Sequence, residues 1–229
     1  PPLMAVQEGV GMVSVKGPLI NGNAGFMRLF GVTGYGDIQE AVMQAAEAKN
    51  VKSILMIYAT GGGAVEGVDE TSTFLKQVSA IKPIVTYASG SMASAGYWLG
   101  SAGVRRLASA TSVVGSIGVT TTHFDRSQQL KKEGIDAKVY RSGKWKALGN
   151  PYEARSDLFD EQMQSMIDDL NSIFEARVAA NLNVTPKQVH DKMGQGREFL
   201  GARAAAVGLI DGIATMQEAF AVAKLLGRG

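Results

Sequence analysis

The chain has 229 residues, a formal net charge of +2 and a hydrophobic content of 45%. These values fit an ordinary globular protein and exclude an intrinsically disordered chain. The chain contains no cysteine, which excludes disulfides, thiol nucleophiles and zinc sites built on cysteine. Its lysines and arginines form no cluster interleaved with aromatic residues, so we expect no nucleic-acid partner.

The first half of the chain alternates predicted strands and helices. Alternating and β-branched residues predict a strand over 10–19, and continuous apolar runs predict buried strands over 51–60 and 83–89. Helical periodicity covers 36–50, with Asp37 as a cap, and 64–82. This order predicts an α/β fold with parallel strands joined by right-handed crossovers.

The second half is mostly helical. We predict a strand with a tight turn over 113–119 and a strand leading into a polar loop over 135–147. Apolar residues three and four apart predict a long amphipathic helix over 156–183. The shorter predicted helices cover 123–134, 185–193, 201–208 and 216–226. We expect one domain over 1–229, with a core of about 10–215 and a C-terminal helix, 216–229.

Three loops are candidates for chemistry because they follow predicted parallel strands: 60–64, 89–96 and 114–119. The first contains Gly61, Gly62 and Gly63, which can turn their N–H groups toward a ligand or a developing negative charge. The Gly-Lys-Ser/Thr ending of a phosphate-binding P-loop is absent. Two interpretations stay open, a tight turn between strand and helix or an oxyanion hole.

Ser94 stands where a predicted strand gives way to a predicted helix. Serine at such a position is commonly a helix cap, but the helix N-terminus also suits a nucleophile. Ser89 and Ser91 lie nearby. A nucleophilic serine needs a base, and the chain offers two histidines, His123 and His190.

Lysine is the other possible base. It must be uncharged to accept a proton, which requires burial or a neighbouring positive group. Lys144 and Lys146 flank Trp145 in a polar loop. Each of them taken alone would be interpreted as a solvated surface group.

Four segments stand in an order that resembles the SppA-type signal peptide peptidases and the phage head-maturation proteases. They are "ATGGGAVEG" from residue 59, "GSMASAGYWLGSA" from 90, "SVVGSIGVTT" from 112 and "YRSGKWKALGNPY" from 140. The resemblance covers about residues 10–215, including the late "REFLGARAAAVGLIDGI". It implies the Clp/crotonase fold, a mostly parallel sheet with helices on both faces and a long helix in the C-terminal half.

The resemblance also implies roles for residues. Ser94 matches the family's nucleophile and Lys146 its general-base lysine, with Lys144 as the fallback. Ser116 matches the serine that orients the lysine amine. An oxyanion hole would use the N–H of Ala95 with that of Gly61 or Gly62.

Two departures from the family's pattern surround these residues. Ala95 replaces the first glycine of the family's Gly-Gly-Tyr, which keeps the backbone N–H. Ala59-Thr60 replaces the Ser-Pro that precedes the family's Gly-Gly pair, so the course of this loop stays open. The dyad needs no cofactor and no metal.

The implied activity is that of a serine endopeptidase acting on protein or peptide substrates, such as capsid proteins, scaffold proteins or signal peptides. Relatives form ring-shaped homo-oligomers, and in some of them the serine and the lysine come from neighbouring subunits. The apolar runs are shorter than the roughly 18 residues of a membrane span, and the start of the chain has no signal-peptide pattern. We therefore expect no membrane anchor in this chain, a phage or prophage origin, and a location in the host cytoplasm or the phage prohead.

Two alternatives stay open. A Clp-like peptidase would combine Ser94 with His123 and an aspartate, although the residues around His123 lack that family's usual pattern. A crotonase-like acyl-CoA enzyme or an inactive scaffold could use the same fold. A crotonase needs a carboxylate beside its oxyanion hole, and Glu66 is the nearby candidate.

Overall fold

The computed structural model describes residues 3–228, and its main feature is an eight-stranded sheet. The strands within these residues are β1 (Met4–Gln7), β2 (Val10–Lys16), β3 (Leu19–Ile20), β4 (Thr33–Gly34), β5 (Ser53–Thr60), β6 (Ile84–Ala93), β7 (Arg105–Ala108), β8 (Val113–Gly115), β9 (Glu198–Leu200) and β10 (Gly212–Ile213). Strands β3 and β4 pair with each other in a separate small sheet.

The large sheet has the order β1-β2-β5-β6-β7-β10. Its neighbours run parallel except for β1 and β2, which are antiparallel. Strand β6 pairs with β7 along its first half and with β8 along its last three residues. Strand β9 then pairs antiparallel with β8. The carboxyl end of β6 therefore lies beside β8, and the two loops that follow these strands begin side by side.

Eight α-helices complete the described chain. They are α1 (Tyr35–Glu47), α2 (Val68–Ile81), α3 (Ala95–Gly100), α4 (Ser127–Lys132), α5 (Asp157–Leu182), α6 (Pro186–Gln188), α7 (Gly201–Val207) and α8 (Met216–Leu226). A 3₁₀ helix covers Gly25–Phe30 and a π-helix covers Val189–Met193. The Asp37 carboxylate accepts the N–H of Gly34 at 3.2 Å, which confirms Asp37 as a capping residue of α1.

Residues of β5 alternate between two apolar clusters, as expected for a strand buried on both faces. Ile54, Met56 and Tyr58 pack in a cluster that includes residues of α1, α2 and α3. Leu55 and Ile57 pack with residues of α8 on the other face. Full burial of one such side chain contributes about 1.5–3 kcal/mol. Helices therefore cover both faces of a mostly parallel sheet, as predicted.

The chain divides into two compact units. The first unit contains the residues up to 118 and those from 173 on, and it holds both sheets. The second unit contains residues 119–172, with α4, the first part of α5 and a series of turns. Phe159 is buried in the second unit, where a Cβ on Gly149 would come within 2.2 Å of its ring. The single domain expected over 1–229 stays a prediction, and its residues 1, 2 and 229 lie outside the described part.

Two predicted elements are wrong in detail. The strand predicted to lead into a polar loop over 135–147 is absent. Residues 135–141 have no regular secondary structure, residues 142–147 form bends and turns, and Ile135 and Tyr140 are exposed instead of packed on a neighbouring strand. The helix predicted to begin at His123 begins at Ser127. The Asp125 carboxylate accepts the N–H of Ser127 at 2.8 Å, which satisfies a donor at the helix start.

Candidate active site

Ser94 joins β6 to α3 in a backbone conformation that is rare for residues other than glycine. Its φ is 52° and its ψ is −126°. Its side chain makes no capping hydrogen bond to α3, so the cap interpretation of the sequence is wrong. The backbone N–H of Ser94 donates to the carbonyl of Gly115 at 2.8 Å. A strained serine that caps nothing is typical of a functional position.

The helix behind Ser94 is firmly anchored. All six residues of α3 are buried. The Tyr97 hydroxyl donates to the carbonyl of Leu209 at 2.7 Å, and burial raises the pKa of Tyr97. The Trp98 ring stacks on Phe174 with centroids 4.1 Å apart. These contacts hold the N-terminus of α3, and with it the N–H of Ala95, in a fixed position next to Ser94.

Ser116 lies beside Ser94. Ala93 and Gly115 form the last pair of the parallel strands β6 and β8. Ser94 directly follows Ala93 and Ser116 directly follows Gly115, so the two serines leave the sheet side by side. Ser116 is half-buried and also has a positive φ, 54°. Its N–H donates to the carbonyl of Arg197 at 2.7 Å, and Arg197 directly precedes β9. The segment before β9 thus fixes the turn that carries Ser116.

Gly62 of the glycine loop lies directly against Ser94. A Cβ on Gly62 would come within 2.6 Å of the Ser94 Cβ and within 3.0 Å of both the Ser94 Oγ and the Ala95 nitrogen. Gly62 also has a φ of 108°, a region that side chains other than glycine's rarely adopt. Gly62 therefore packs against Ser94 and Ala95 more closely than a residue with a side chain could.

The N–H groups of the glycine loop have different surroundings. Gly62 donates its N–H to the Thr60 Oγ1 at 3.0 Å. Gly61 is exposed, and a Cβ there would meet no atom within 4 Å. Leu19 donates its N–H to the carbonyl of Gly62 at 3.0 Å and accepts the N–H of Ala64 at 2.9 Å. Leu19 and Gly63 are thus paired as in a parallel sheet, and in such a pair the N–H and C=O of Gly63 point away from Leu19.

The two candidate lysines belong to the second unit and are exposed in the single chain. The Lys144 amine lies 5.0 Å from the centroid of the Trp145 ring. The Lys146 backbone N–H donates to the carbonyl of Gly143 at 3.1 Å. Among the described residues, the Lys146 amine has neither a hydrogen bond nor an ion pair. Its side chain is therefore available for an interaction outside the single chain.

The histidines have other surroundings. The His123 ring contacts the Phe159 ring edge to face, with centroids 4.8 Å apart, and its buried Nε2 lacks a hydrogen-bond partner within residues 3–228. The nearby Asp125 carboxylate accepts the N–H groups of Ser127 and Arg155. Within the described part of the chain, no carboxylate forms a hydrogen bond with the His123 ring, which argues against the Clp-like triad.

His190 contacts a carboxylate instead of a serine. Its Nδ1 lies 3.0 Å from the Glu175 carboxylate, which is buried. Half of the His190 side chain is exposed. Glu66, the carboxylate of the crotonase alternative, is exposed.

No group of metal-ligating side chains occurs between residues 3 and 228. Over the same stretch, no helix is both long and apolar enough to cross a lipid bilayer.

The sequence profile of peptidase family S49 matches residues 76–228, about two thirds of the chain and including Ser94, Ser116 and Lys146. The chain belongs to peptidase family S49. The mostly parallel sheet with helices on both faces fits the Clp/crotonase fold of this family.

Two S49 relatives come from phages. Capsid assembly protease C of Escherichia phage lambda is 32% identical over 96% of this chain and 49% of the relative. Head-tail preconnector protein GP5 of Enterobacteria phage P21 is 28% identical over 95% of this chain and 43% of the relative. The chloroplastic serine protease SPPA of Arabidopsis thaliana is 25% identical over 96% of this chain and 31% of the relative. The chain spans half or less of the length of each of these three relatives.

Proposed function

We propose that this S49 chain is a serine endopeptidase in which Ser94 is the nucleophile and Lys146 the general base. One observation carries the proposal for Ser94. Its backbone is strained and its hydroxyl caps no helix, while Gly62 packs directly against it. The role of Lys146 rests on its match to the family's lysine in "YRSGKWKALGNPY".

The proposed reaction passes through an acyl-enzyme. Uncharged Lys146 takes the proton of the Ser94 hydroxyl while the Ser94 Oγ attacks a peptide carbonyl. Lys146 then returns this proton to the leaving amine, and afterwards it activates a water molecule that hydrolyses the ester. Ser116 would orient the lysine amine, and its place beside Ser94 at the ends of β6 and β8 supports this role.

The developing negative charge needs hydrogen-bond donors. The N–H of Ala95 at the start of α3 is one, next to Gly62 and Ser94. The second would come from the glycine loop. Because the N–H of Gly62 donates to Thr60, the remaining candidates in this loop are the N–H groups of Gly61 and Gly63.

We further propose capsid or scaffold proteins as substrates, because the phage relatives are named for capsid assembly and head-tail connection. The site of action would then be the host cytoplasm or the prohead. The exposed Lys146 amine must be shielded from water to stay uncharged. A neighbouring copy in a ring-shaped homo-oligomer would bury it.

The test is cleavage of casein and of a capsid-scaffold protein by the assembled protein. We expect the Ser94→Ala and Lys146→Ala variants to lose activity by about 100-fold or more. We expect His123→Ala and Lys144→Ala to retain most of it. Loss of activity in His123→Ala with an active Lys146→Ala would overturn the dyad in favour of the Clp-like alternative.

A further inference from the structure

Thr60, the last residue of β5, connects three parts of the site. It is 1% exposed. Its hydroxyl donates to the carbonyl of Gly17 at 2.6 Å and accepts the N–H of Gly62 at 3.0 Å. The hydroxyl thus ties the glycine loop to the segment that follows β2.

The methyl group of Thr60 lies against the helix of the nucleophile. A Cβ on Gly96, in the first turn of α3, would come within 2.5 Å of the Thr60 Cγ2. The absence of a side chain at Gly96 lets α3 approach β5 closely at this point. Thr60 therefore contacts the glycine loop through its hydroxyl and the helix behind Ser94 through its methyl group.

We infer that Thr60 is a positioning residue of the oxyanion hole. Its hydroxyl holds the N–H of Gly62 and so keeps that residue against Ser94 and Ala95. This inference rests on the proposed function, because it concerns the transition state formed at Ser94.

The hydroxyl would act on turnover more than on substrate binding. An oxyanion donor forms its full interaction only when the carbonyl oxygen becomes charged. Removal of the hydroxyl frees the Gly62 N–H and allows the loop to shift relative to Ala95. A shift of about 1 Å at such a site can reduce the rate about 100-fold.

The test compares kcat and KM for Thr60→Val and Thr60→Ser with a peptide substrate that the wild-type protein cleaves. We expect Thr60→Val, which keeps the shape and loses the hydroxyl, to lower kcat by about 10- to 100-fold with KM changed less than about twofold. Thr60→Ser keeps the hydroxyl, and we expect its kcat to stay within about threefold of the wild-type value.

Thr86→Val is the matched control. Thr86 is a fully buried threonine of the adjacent strand β6 whose hydroxyl donates to the carbonyl of Gly100 at 2.9 Å. We expect this variant to lose stability but to keep its kcat. If Thr60→Val does not fold, Thr60→Ala takes its place in the comparison. A kcat of Thr60→Ala equal to that of Thr60→Ser would overturn the inference.

The Ser94→Ala variant distinguishes a failure of the inference about Thr60 from a failure of the proposed function. If Ser94→Ala is inactive while Thr60→Val cleaves as fast as wild type, the inference about Thr60 is wrong and the proposed function stands. A similar loss of kcat in Thr86→Val and Thr60→Val would also overturn the inference. If Ser94→Ala remains fully active, the proposed function itself fails.

Discussion

At the scale of single residues, Ser94 is held in a strained backbone conformation by its surroundings. A residue other than glycine at a φ of 52° and a ψ of −126° costs about 1–3 kcal/mol. The hydrogen bond from its N–H to Gly115 and the burial of α3 hold it there.

Replacement of Ser94 by glycine should separate stability from activity. We expect Ser94→Gly to be about 1 kcal/mol more stable than Ser94→Ala, because glycine adopts this conformation without strain. Both variants should be inactive. Urea unfolding of the two proteins measures the difference in the free energy of unfolding. An equal or lower stability of Ser94→Gly would contradict the claim that the backbone at position 94 is strained.

Two adjacent glycines provide a matched pair of variants. We expect Gly62→Ala to reduce kcat by about 100-fold or more, because the new Cβ would come within 2.6 Å of the Ser94 Cβ and 3.0 Å of its Oγ. Gly61→Ala should keep most of the activity, since a Cβ there meets no atom within 4 Å. Peptide cleavage measures the kcat of the two variants. Equal activities would contradict the requirement for a residue without a side chain beside Ser94.

At the scale of secondary-structure elements, an ion pair joins the helices behind the nucleophile. Arg177 of α5 donates to both carboxylate oxygens of Asp69 of α2, at 2.7 and 2.9 Å, and the indole N–H of Trp98 donates to Asp69 at 3.3 Å. The hydrogen bond from Arg177 is the main cause that lowers the pKa of Asp69.

We expect Asp69→Asn to reduce the free energy of unfolding by about 1–2 kcal/mol at pH 7, a value that allows for the partial exposure of the pair. Because the pKa of Asp69 is lowered in the folded state, its contribution is complete at neutral pH. It is lost as the pH falls below the ordinary aspartate pKa of about 3.9, through the lowered value. Urea unfolding at several pH values measures the difference between the two proteins.

The exposed pair of Arg155 and Asp160, 3.2 Å apart, provides the control for this prediction. Asp160→Asn should change stability by less than about 0.5 kcal/mol. A pH-independent difference between wild type and Asp69→Asn would contradict the role assigned to the carboxylate.

The sequence predicts the elements of this fold that carry strong periodicity or long apolar runs. Helix α5 covers Asp157–Leu182 against a predicted 156–183, and α8 covers Met216–Leu226 as predicted. Strands β7, β9 and β10 have no such signal, because they are only two to four residues long. They form because they pair with strands from distant parts of the sequence.

The candidate site was predictable only in part. Ser94 and Ser116 follow from the resemblance, and their neighbouring positions follow from the pairing of β6 with β8, which the sequence does not reveal. The donation of the Gly62 N–H to Thr60 was not foreseen either. Threonine two residues before a glycine is a signal for such a side-chain turn, and it could have indicated that the Gly62 N–H has a partner within the loop.

At the scale of the whole molecule, exposed aromatic side chains are available to the proposed ring-shaped assembly. Phe26 and Phe30 of the 3₁₀ helix are 72% and 73% exposed, and Tyr140 near the candidate lysines is 83% exposed. Adjacent exposed aromatic rings, such as those of Phe26 and Phe30 with centroids 5.4 Å apart, are typical of surfaces that bind a partner. The proposed ring would bury such groups and remove water from Lys146.

Mixing two inactive variants tests whether neighbouring copies share a site. If each site takes Ser94 from one copy and Lys146 from the next, an equal mixture of Ser94→Ala and Lys146→Ala should recover about a quarter of the wild-type activity after subunit exchange. We expect this recovery because the Lys146 amine is exposed in the single chain. An inactive mixture, with exchange shown by light scattering and mass spectrometry, would place both residues of each site on one chain.

The most direct measurement for the whole account is peptide mapping after reaction of the active protein with a fluorophosphonate, a reagent that bonds to activated serines. We predict a label on Ser94, none on Ser89, Ser91 or Ser116, and a strong decrease of labelling in Lys146→Ala. A label on another serine, or equally fast labelling of Ser94 without Lys146, would contradict the proposal that these two residues form the catalytic pair.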